Sequence, residues 1–116
     1  MTASTDDVWD LVGQLPGVEG LDHTDYTQFR VTGHGFGYLW PRTRTLGLKQ
    51  PVAEQIALVA ERPDVFEVQF TTESSGWVVV HLDGVDRDEL AELVFEAWRL
   101  TAPARLLQEQ GDRLPR

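Results

Sequence analysis

The chain has 116 residues and a formal net charge of −9, with 19 acidic residues against 10 basic ones. This length fits one domain that can bury a core without cross-links. Cysteine is absent, which excludes disulfides, thiolate metal ligands and thiol catalysis. No apolar run is long enough to span a bilayer, and residues 1–7 do not resemble a signal peptide. We therefore expect a single cytoplasmic domain over residues 1–116 with no membrane association.

A helix is predicted near the start of the chain. Ser4 and Asp7 form a capping pattern, and apolar residues follow at helical spacing. The helix should run from about Thr5 to Gln14 and end at Pro16 and Gly17. The polar stretch 17–25, which contains two glycines, is predicted to be a loop.

Three strands are predicted next, in the runs "YTQFRVT", "FGYLWP" and "TLGLK". Glycines 33 and 35 favour a tight turn between the first two strands, because glycine tolerates positive φ. The segment "PRTR" separates the second strand from the third. The three strands should therefore form an antiparallel meander.

The remaining segment is predicted to add two helices and two strands. Pro51 suits the first turn of a helix that ends at Pro63. The runs "DVFEVQF" and "GWVVVHL" predict strands four and five. Asp86 predicts the start of a third helix, which ends at Pro103 and leaves a short helix and tail over residues 103–116.

This order of elements predicts an α+β fold, a five-stranded antiparallel sheet with helices packed on one face. Period-two alternation assigns each strand residue to a face. The residues expected to face the helices are Phe29, Val31, Leu39, Leu46, Leu48, Phe66, Val68, Phe70, Val78, Val80 and Leu82. The residues expected on the outer face are Gln28, Arg30, Phe36, Tyr38, Trp40, Lys49, Glu67, Gln69, Trp77, Val79 and His81.

The charge is unevenly distributed along the chain. Residues 26–53 contain four basic residues and no acidic one, although the protein as a whole is acidic. The candidate binding residues of this region and its neighbouring strand are Arg30, Tyr38, Trp40, Arg42, Arg44, Lys49, Trp77 and His81. Aromatic rings beside basic and amide groups suit stacking on bases or on a partner's side chains. The alternative is that these rings extend the core beneath a loop or the C-terminal tail.

No recognisable catalytic or cofactor-binding motif occurs in the chain. His23 lies between Asp22 and Asp25, and the first helix carries three aspartates, but isolated acidic positions of this kind are typical of solvated surface. We therefore predict a protein that is not an enzyme and has no cofactor and no bound metal.

The ordered pieces "LPGVE", "FRVTGHGFGYLWP", "TLGLK", "RPDVFEVQ", "GWVVVHLD" and "AWRLTAPARL" resemble the MmcQ/YjbR family over about residues 8–107. The resemblance implies a CyaY-like α+β fold and a DNA-binding function that the family owes to two hairpin wings. The first wing would be the turn at Arg42 and Arg44, and the second would be the hairpin at 71–76, which carries Glu73 and no basic residue.

Two functions follow from these observations. The first is DNA binding through the basic, aromatic region 26–53. The alternative is a module that binds a protein or a planar small molecule on the outer aromatic face and has no nucleic-acid role. In either case we expect a monomer.

Overall fold

The computed structural model describes residues 1–110, so the predicted tail beyond residue 110 lies outside the described residues. The helices are α1 (Thr5–Gly13), α2 (Val52–Glu61), α3 (Arg87–Thr101) and α4 (Ala104–Gln110), with a short 3-10 turn at Leu82–Gly84. The strands are β1 (Val18–Asp22), β2 (Thr27–Val31), β3 (His34–Trp40), β4 (Thr45–Gln50), β5 (Phe66–Thr71) and β6 (Gly76–His81). Within residues 1–110, no helix combines the length and the apolar character needed to cross a membrane.

The fold is α+β, as predicted, but the sheet has six antiparallel strands instead of five, in the order β1-β2-β3-β4-β6-β5. The additional strand, β1, occupies the stretch predicted to be a loop. The sequence of β1 shows little alternation. It is an edge strand, and a side chain of another element covers part of it. The Trp9 ring of α1 lies against Gly20, where a β-carbon would be 3.7 Å from the nearest ring atom.

The core lies between the helices and the face of the sheet that carries Phe29, Leu46 and Val80, which are each fully buried. Helix α3 packs against β3 and β4, and α2 packs behind β5 and β6. Helix α1 contacts α3, and the Trp9 ring of α1 meets Phe29 edge-on at 5.2 Å. Trp98 is the largest fully buried side chain.

A β-bulge in β3 corrects one assignment made from alternation. Gly35 pairs with Arg30 and Gly37 pairs with Phe29, which leaves Phe36 as an extra residue in β3. Phe36 is fully buried instead of lying on the outer face. A bulge interrupts strict alternation for the residues on either side of it, which is why simple alternation placed this ring wrongly.

A second bulge, in β5, corrects one more assignment, that of Phe70. Val68 pairs with Val78 and Phe70 pairs with Trp77, so Gln69 is the extra residue. Phe70 therefore lies on the outer face, where its ring stacks on Trp77 at 5.0 Å, instead of pointing to the helices. Val68 keeps the inward register of buried Val78 but is 56% exposed, because it lies on the edge strand.

The start of α1 has the predicted capping pattern. Ser4 Oγ accepts a hydrogen bond from the Asp7 backbone N–H, and Asp7 Oδ2 accepts one from the Ser4 backbone N–H at 2.9 Å. Arg87 of α3 donates to Asp7 Oδ1 at 2.9 Å. The hydrogen bond from Ser4 and the neighbouring guanidinium of Arg87 lower the pKa of Asp7 below its ordinary value of 3.8. One carboxylate therefore caps α1 and ties it to α3.

We expect Asp7→Asn to lower the free energy of unfolding by about 1 kcal/mol at neutral pH, within the range measured for capping interactions. A depressed pKa stabilises the folded state above the unfolded-state value near 3.8, and this stabilisation is lost as the pH falls through the folded-state value. The difference between variant and wild type should therefore shrink in urea titrations run from pH 7 down to pH 3. Asp6→Asn, which removes the same charge from an exposed neighbour, is the control. Equal losses for the two variants, or a difference independent of pH, would contradict the assignment.

Candidate binding face

Six aromatic side chains form a continuous row along the outer face of the sheet, and we call this set the ring row. All distances here join ring centroids. His23 stacks on Tyr26 at 4.5 Å, and the Tyr26 ring lies 5.8 Å from the Trp40 ring and 6.0 Å from the Tyr38 ring. Tyr38 lies 6.0 Å from Trp40 and 5.5 Å from Trp77, which stacks on Phe70 at 5.0 Å. The row thus runs from the β1–β2 turn to the edge strand β5.

The members of the ring row differ in how much of each ring reaches solvent. Trp77, one of the predicted contact residues, is only 6% exposed, because Tyr38 and Phe70 flank it and it is packed into the row. Tyr26, Tyr38 and Trp40 are half-buried, and His23 is exposed. Phe70 is 41% exposed. A partner would therefore meet the other five rings rather than Trp77.

Three members of the ring row were not predicted as site residues. Phe70 was missed because alternation without a bulge points it inward. Tyr26 has the parity of Gln28 and Arg30 in the run "YTQFRVT", so the same alternation already indicated its outward position. His23 lies in the stretch taken for a loop, and no pattern in the sequence indicated that its ring would stack on Tyr26.

Arg30 is held on the outer face by a short chain of hydrogen bonds. Its Nε donates to Gln28 Oε1 at 3.1 Å, and Gln28 Nε2 donates to the Tyr38 hydroxyl at 3.3 Å. Gly35, opposite Arg30 in β3, leaves the space for this chain, since a β-carbon there would lie 2.7 Å from Gln28 Nε2. The predicted residues Arg30 and Tyr38 are therefore connected through an amide that also lies on the outer face.

The two arginines of the β3–β4 turn differ in their surroundings. Arg44 has a left-handed backbone, with φ of 56°, and its Nη2 pairs with Asp83 Oδ1 at 2.7 Å. Arg42 is exposed and forms no ion pair with any residue in the described part of the chain. Of this predicted pair, Arg42 alone carries a charge without a carboxylate beside it among residues 1–110.

The outer face is not free of acid, although residues 26–53 are. The β5–β6 and β1–β2 pairings bring in acidic residues from other parts of the chain. His81 Nε2 contacts Glu67 Oε2 at 2.5 Å, and Glu19 lies opposite Arg30. Lys49, opposite Trp77, forms no side-chain hydrogen bond or ion pair within residues 1–110.

The basic residues lie at two separate places on the sheet. Arg42 and Arg44 are in the β3–β4 turn, at the end of the sheet where Thr45 pairs with His81. Lys49 lies toward the opposite end, one residue from the Gln50–Gly76 pair, and Arg30 lies on that side of β2, beside the β2–β3 turn. Strand β4 has six residues, which at about 3.3 Å per residue separates the ends by roughly 20 Å. The two predicted wing tips, at 41–44 and 72–75, lie at opposite ends for the same reason.

A glutamine bridges the middle of the outer face. Gln69, the bulged residue of β5, extends across β6 to Gly47 of β4, where a β-carbon would overlap its amide. Its Oε1 is buried and receives no hydrogen bond from residues 1–110. The absence of a side chain at Gly47 thus allows an amide to lie among the rings.

The acidic residues around His23 and those of α1 do not come together into one site in the part of the chain that the structure describes. Arg87 binds both Asp7 and Asp10, so two of the three α1 aspartates are engaged in a contact between helices. His23 stacks on Tyr26. Across the described residues, no group of three histidine, aspartate or glutamate side chains is placed to hold a metal ion.

The fold is similar to that in a crystal structure of the Deinococcus radiodurans protein DR2400, whose family-model domain is DUF419. The TM-score is 0.79 and the sequence identity 20%, over 98% of this chain and 91% of that chain, which shows a shared fold. No curated protein matches the chain. The YjbR family model matches residues 13–100, which include all six strands. With three-quarters of its sequence covered by that match, the chain belongs to the YjbR family.

Proposed function

We propose that this YjbR-family protein is a non-enzymatic binding module that holds its partner on the ring row. The observation that carries the proposal is the unbroken contact of six rings on the sheet face opposite the helices, with neighbouring centroids 4.5–6.0 Å apart. An exposed apolar surface framed by polar groups is typical of an interaction site. Because the rings already pack on each other, their ordering costs little when a partner binds.

The charges around the ring row favour a flat partner that is also negatively charged. Arg30 is held in place by Gln28, while Lys49 and Arg42 have no carboxylate beside them among residues 1–110. Tyrosine and tryptophan faces stack on planar groups, and basic side chains at their margin attract an anion. A protein segment with aromatic and acidic side chains has both properties.

Single-stranded DNA is the second candidate, and the placement of the cations supports it. Arg42 lies at one end of the sheet and Lys49 toward the other, with Tyr38 and Trp40 between them. This order matches a strand that stacks its bases on rings and places phosphates beside basic groups. Duplex DNA fits less well, because the two wing tips lie at opposite ends of the sheet.

The proposal that the protein is not an enzyme rests on the position of the groups whose pKa values are shifted. Perturbed pKa values cluster at catalytic sites. The pKa of Asp7 is lowered by the hydrogen bond from the Ser4 backbone and by Arg87, and the pKa of Arg87 is raised by its hydrogen bonds to Asp10 and Asp7. That contact is on the helices, behind the sheet, and is fully explained by capping and ion pairing.

We expect Trp40→Ala to lower the free energy of unfolding by about 1–2 kcal/mol, because half-burial of an aromatic ring contributes only part of the value for a core ring. Trp98→Ala should cost about 3–5 kcal/mol, the usual range for a fully buried tryptophan. Urea unfolding of the two variants tests this difference. If the losses are equal, Trp40 is a core residue and the ring row is not a binding surface.

Two labelled probes test the partner: a peptide that alternates tyrosine and aspartate, and an oligothymidine with a matched duplex. Fluorescence anisotropy should show binding of the peptide, with the affinity reduced about tenfold in Trp40→Ala. If the oligothymidine binds instead, the slope of log K against log salt should be about −2 for three phosphates on a single strand. Arg42→Ala should then weaken binding, whereas Arg105→Ala on α4 should leave it unchanged.

Failure of the peptide and of both nucleic acids to bind at low salt would refute the ring row as a working surface. Binding that is unchanged in Trp40→Ala would refute it too. Tighter binding of the duplex than of the single strand would instead support DNA binding through the two hairpin turns at 41–44 and 72–75.

A further inference from the structure

Strand β5 forms an edge of the sheet with unused hydrogen-bonding groups. The backbone N–H of His81 donates to Val65 O at 2.9 Å, which makes Phe66 and Val80 a non-hydrogen-bonded pair in the antiparallel pattern. Val68 and Val78, two residues further along, are then also such a pair. The N–H and C=O of Val68 therefore point away from β6, and no described strand pairs with them.

Apolar side chains lie on both faces of this edge. Val68 has an inward register but is 56% exposed on this edge strand, and Phe70 is 41% exposed on the outer face. Natural edge strands are commonly protected by lysine, proline or a bulge. Strand β5 has the bulge at Gln69 but neither lysine nor proline. A strand added beside it would cover Val68 on one face and Phe70 on the other.

The β5 edge is held rigidly from behind. Gln55 of α2 is 3% exposed, and its Nε2 donates to Phe70 O at 3.1 Å and to Trp77 O at 2.9 Å. Thr71 Oγ1 donates to Gln55 Oε1 at 3.1 Å. A β-carbon at Gly76 would lie 2.6 Å from Gln55, so the glycine makes room for this clamp. A preformed edge of this kind needs little ordering to receive a partner strand.

The charge around β5 is strongly negative. The acidic residues of segment 54–76 are Glu54, Glu61, Asp64, Glu67 and Glu73. Arg62 is the one basic residue of that segment, and its guanidinium is paired with Glu89. The segment thus has a net charge of −4, from five acids and one base. Such a surface attracts basic partners and disfavours acidic ones.

A second copy of this chain is a poor occupant for the edge. Two β5 strands paired antiparallel would bring together two segments 54–76 that each have a net charge of −4. Like charges placed opposite each other destabilise strand pairing. The total charge of −9 adds repulsion between copies.

We propose that β5 is a docking edge for an extended segment of a partner protein, in which apolar residues alternate with lysine or arginine. The segment adds as a seventh strand. Its backbone bonds to the free N–H and C=O of Val68, its apolar side chains pack over Val68, and its basic side chains lie toward Glu67 and the flanking acids. Backbone pairing provides affinity and the alternate side chains provide specificity, as in other cases of strand addition. This surface borders the ring row at Phe70 but otherwise consists of different residues, and it takes a different partner.

A labelled peptide that alternates lysine with valine tests the proposal, with a glutamate-for-lysine peptide as its counterpart. Anisotropy with the full chain should show binding of the lysine peptide alone. Val68→Pro removes the edge N–H at a position that makes no bond to β6, so we expect it to keep the fold and to bind at least tenfold more weakly. Val68→Thr keeps both the N–H and the β-branched shape and should bind within about twofold of wild type. Circular dichroism and thermal melts establish that both variants are folded.

A second pair of variants tests whether the acidic residues beside β5 contribute to binding. A third pair tests the edge itself and replaces Val68→Pro if that variant does not fold. Asp64→Asn/Glu73→Gln should weaken binding severalfold, whereas Asp25→Asn/Glu92→Gln, with the same change in net charge on exposed residues elsewhere, should not. Val68→Lys should abolish binding, whereas Leu100→Lys on α3 should not. The proposal is overturned if the lysine peptide does not bind at low salt, if both peptides bind equally, if the Val68 variants bind like wild type, or if light scattering shows a dimer that Val68→Lys dissociates.

Discussion

The pairing of β4 with β6 is the contact on which the rest of the structure depends. It joins two strands that are not consecutive in the chain, with Thr45 opposite His81 and Gln50 opposite Gly76. Without this pairing, β1–β4 would be one meander and β5–β6 a separate hairpin, and isolated hairpins are marginally stable at best. The junction places Trp77 beside Tyr38, so the ring row exists only once the two parts of the chain are joined.

The two bulges then decide which rings the sheet presents. The bulge at Phe36 adds a large ring to the core, and the bulge at Gln69 moves Phe70 to the outer face. Each bulge changes the face of a single ring while its neighbours keep their pairing. Gly35 and Gly47 complete the arrangement, because their missing side chains leave room for the amides of Gln28 and Gln69. The outer face thus combines rings with amides that fill the gaps between them.

The sequence was a good guide where a pattern depends on neighbouring residues and a poor one where it depends on the pairing of distant strands. The capping pair Ser4 and Asp7, the helix start at Asp86 and five of the six strands follow from local rules of hydrogen bonding and alternation. Strand β1 could not be predicted from its own residues. The apolar side chain that packs against it at Gly20 is Trp9, which belongs to α1. The burial of Trp77 depends on Phe70, whose position depends in turn on a bulge. Likewise, a charge count over 26–53 did not reveal Glu67 or Asp83, which reach His81 and Arg44 through tertiary contacts.

The ring row and the β5 edge meet at Phe70, and this has a physical consequence for both proposed partners. Phe70 stacks on Trp77, the buried link between Tyr38 and the edge of the sheet. A strand added to β5 would pack against the same ring, so it would extend the outer face beyond its present edge. The charges differ sharply across this boundary: residues 26–53 contain no acid, whereas residues 54–76 have a net charge of −4. An anionic group on the ring row and a basic strand on the edge would therefore carry opposite charges on the two sides of Phe70, and any coupling between their binding would be the same in both directions.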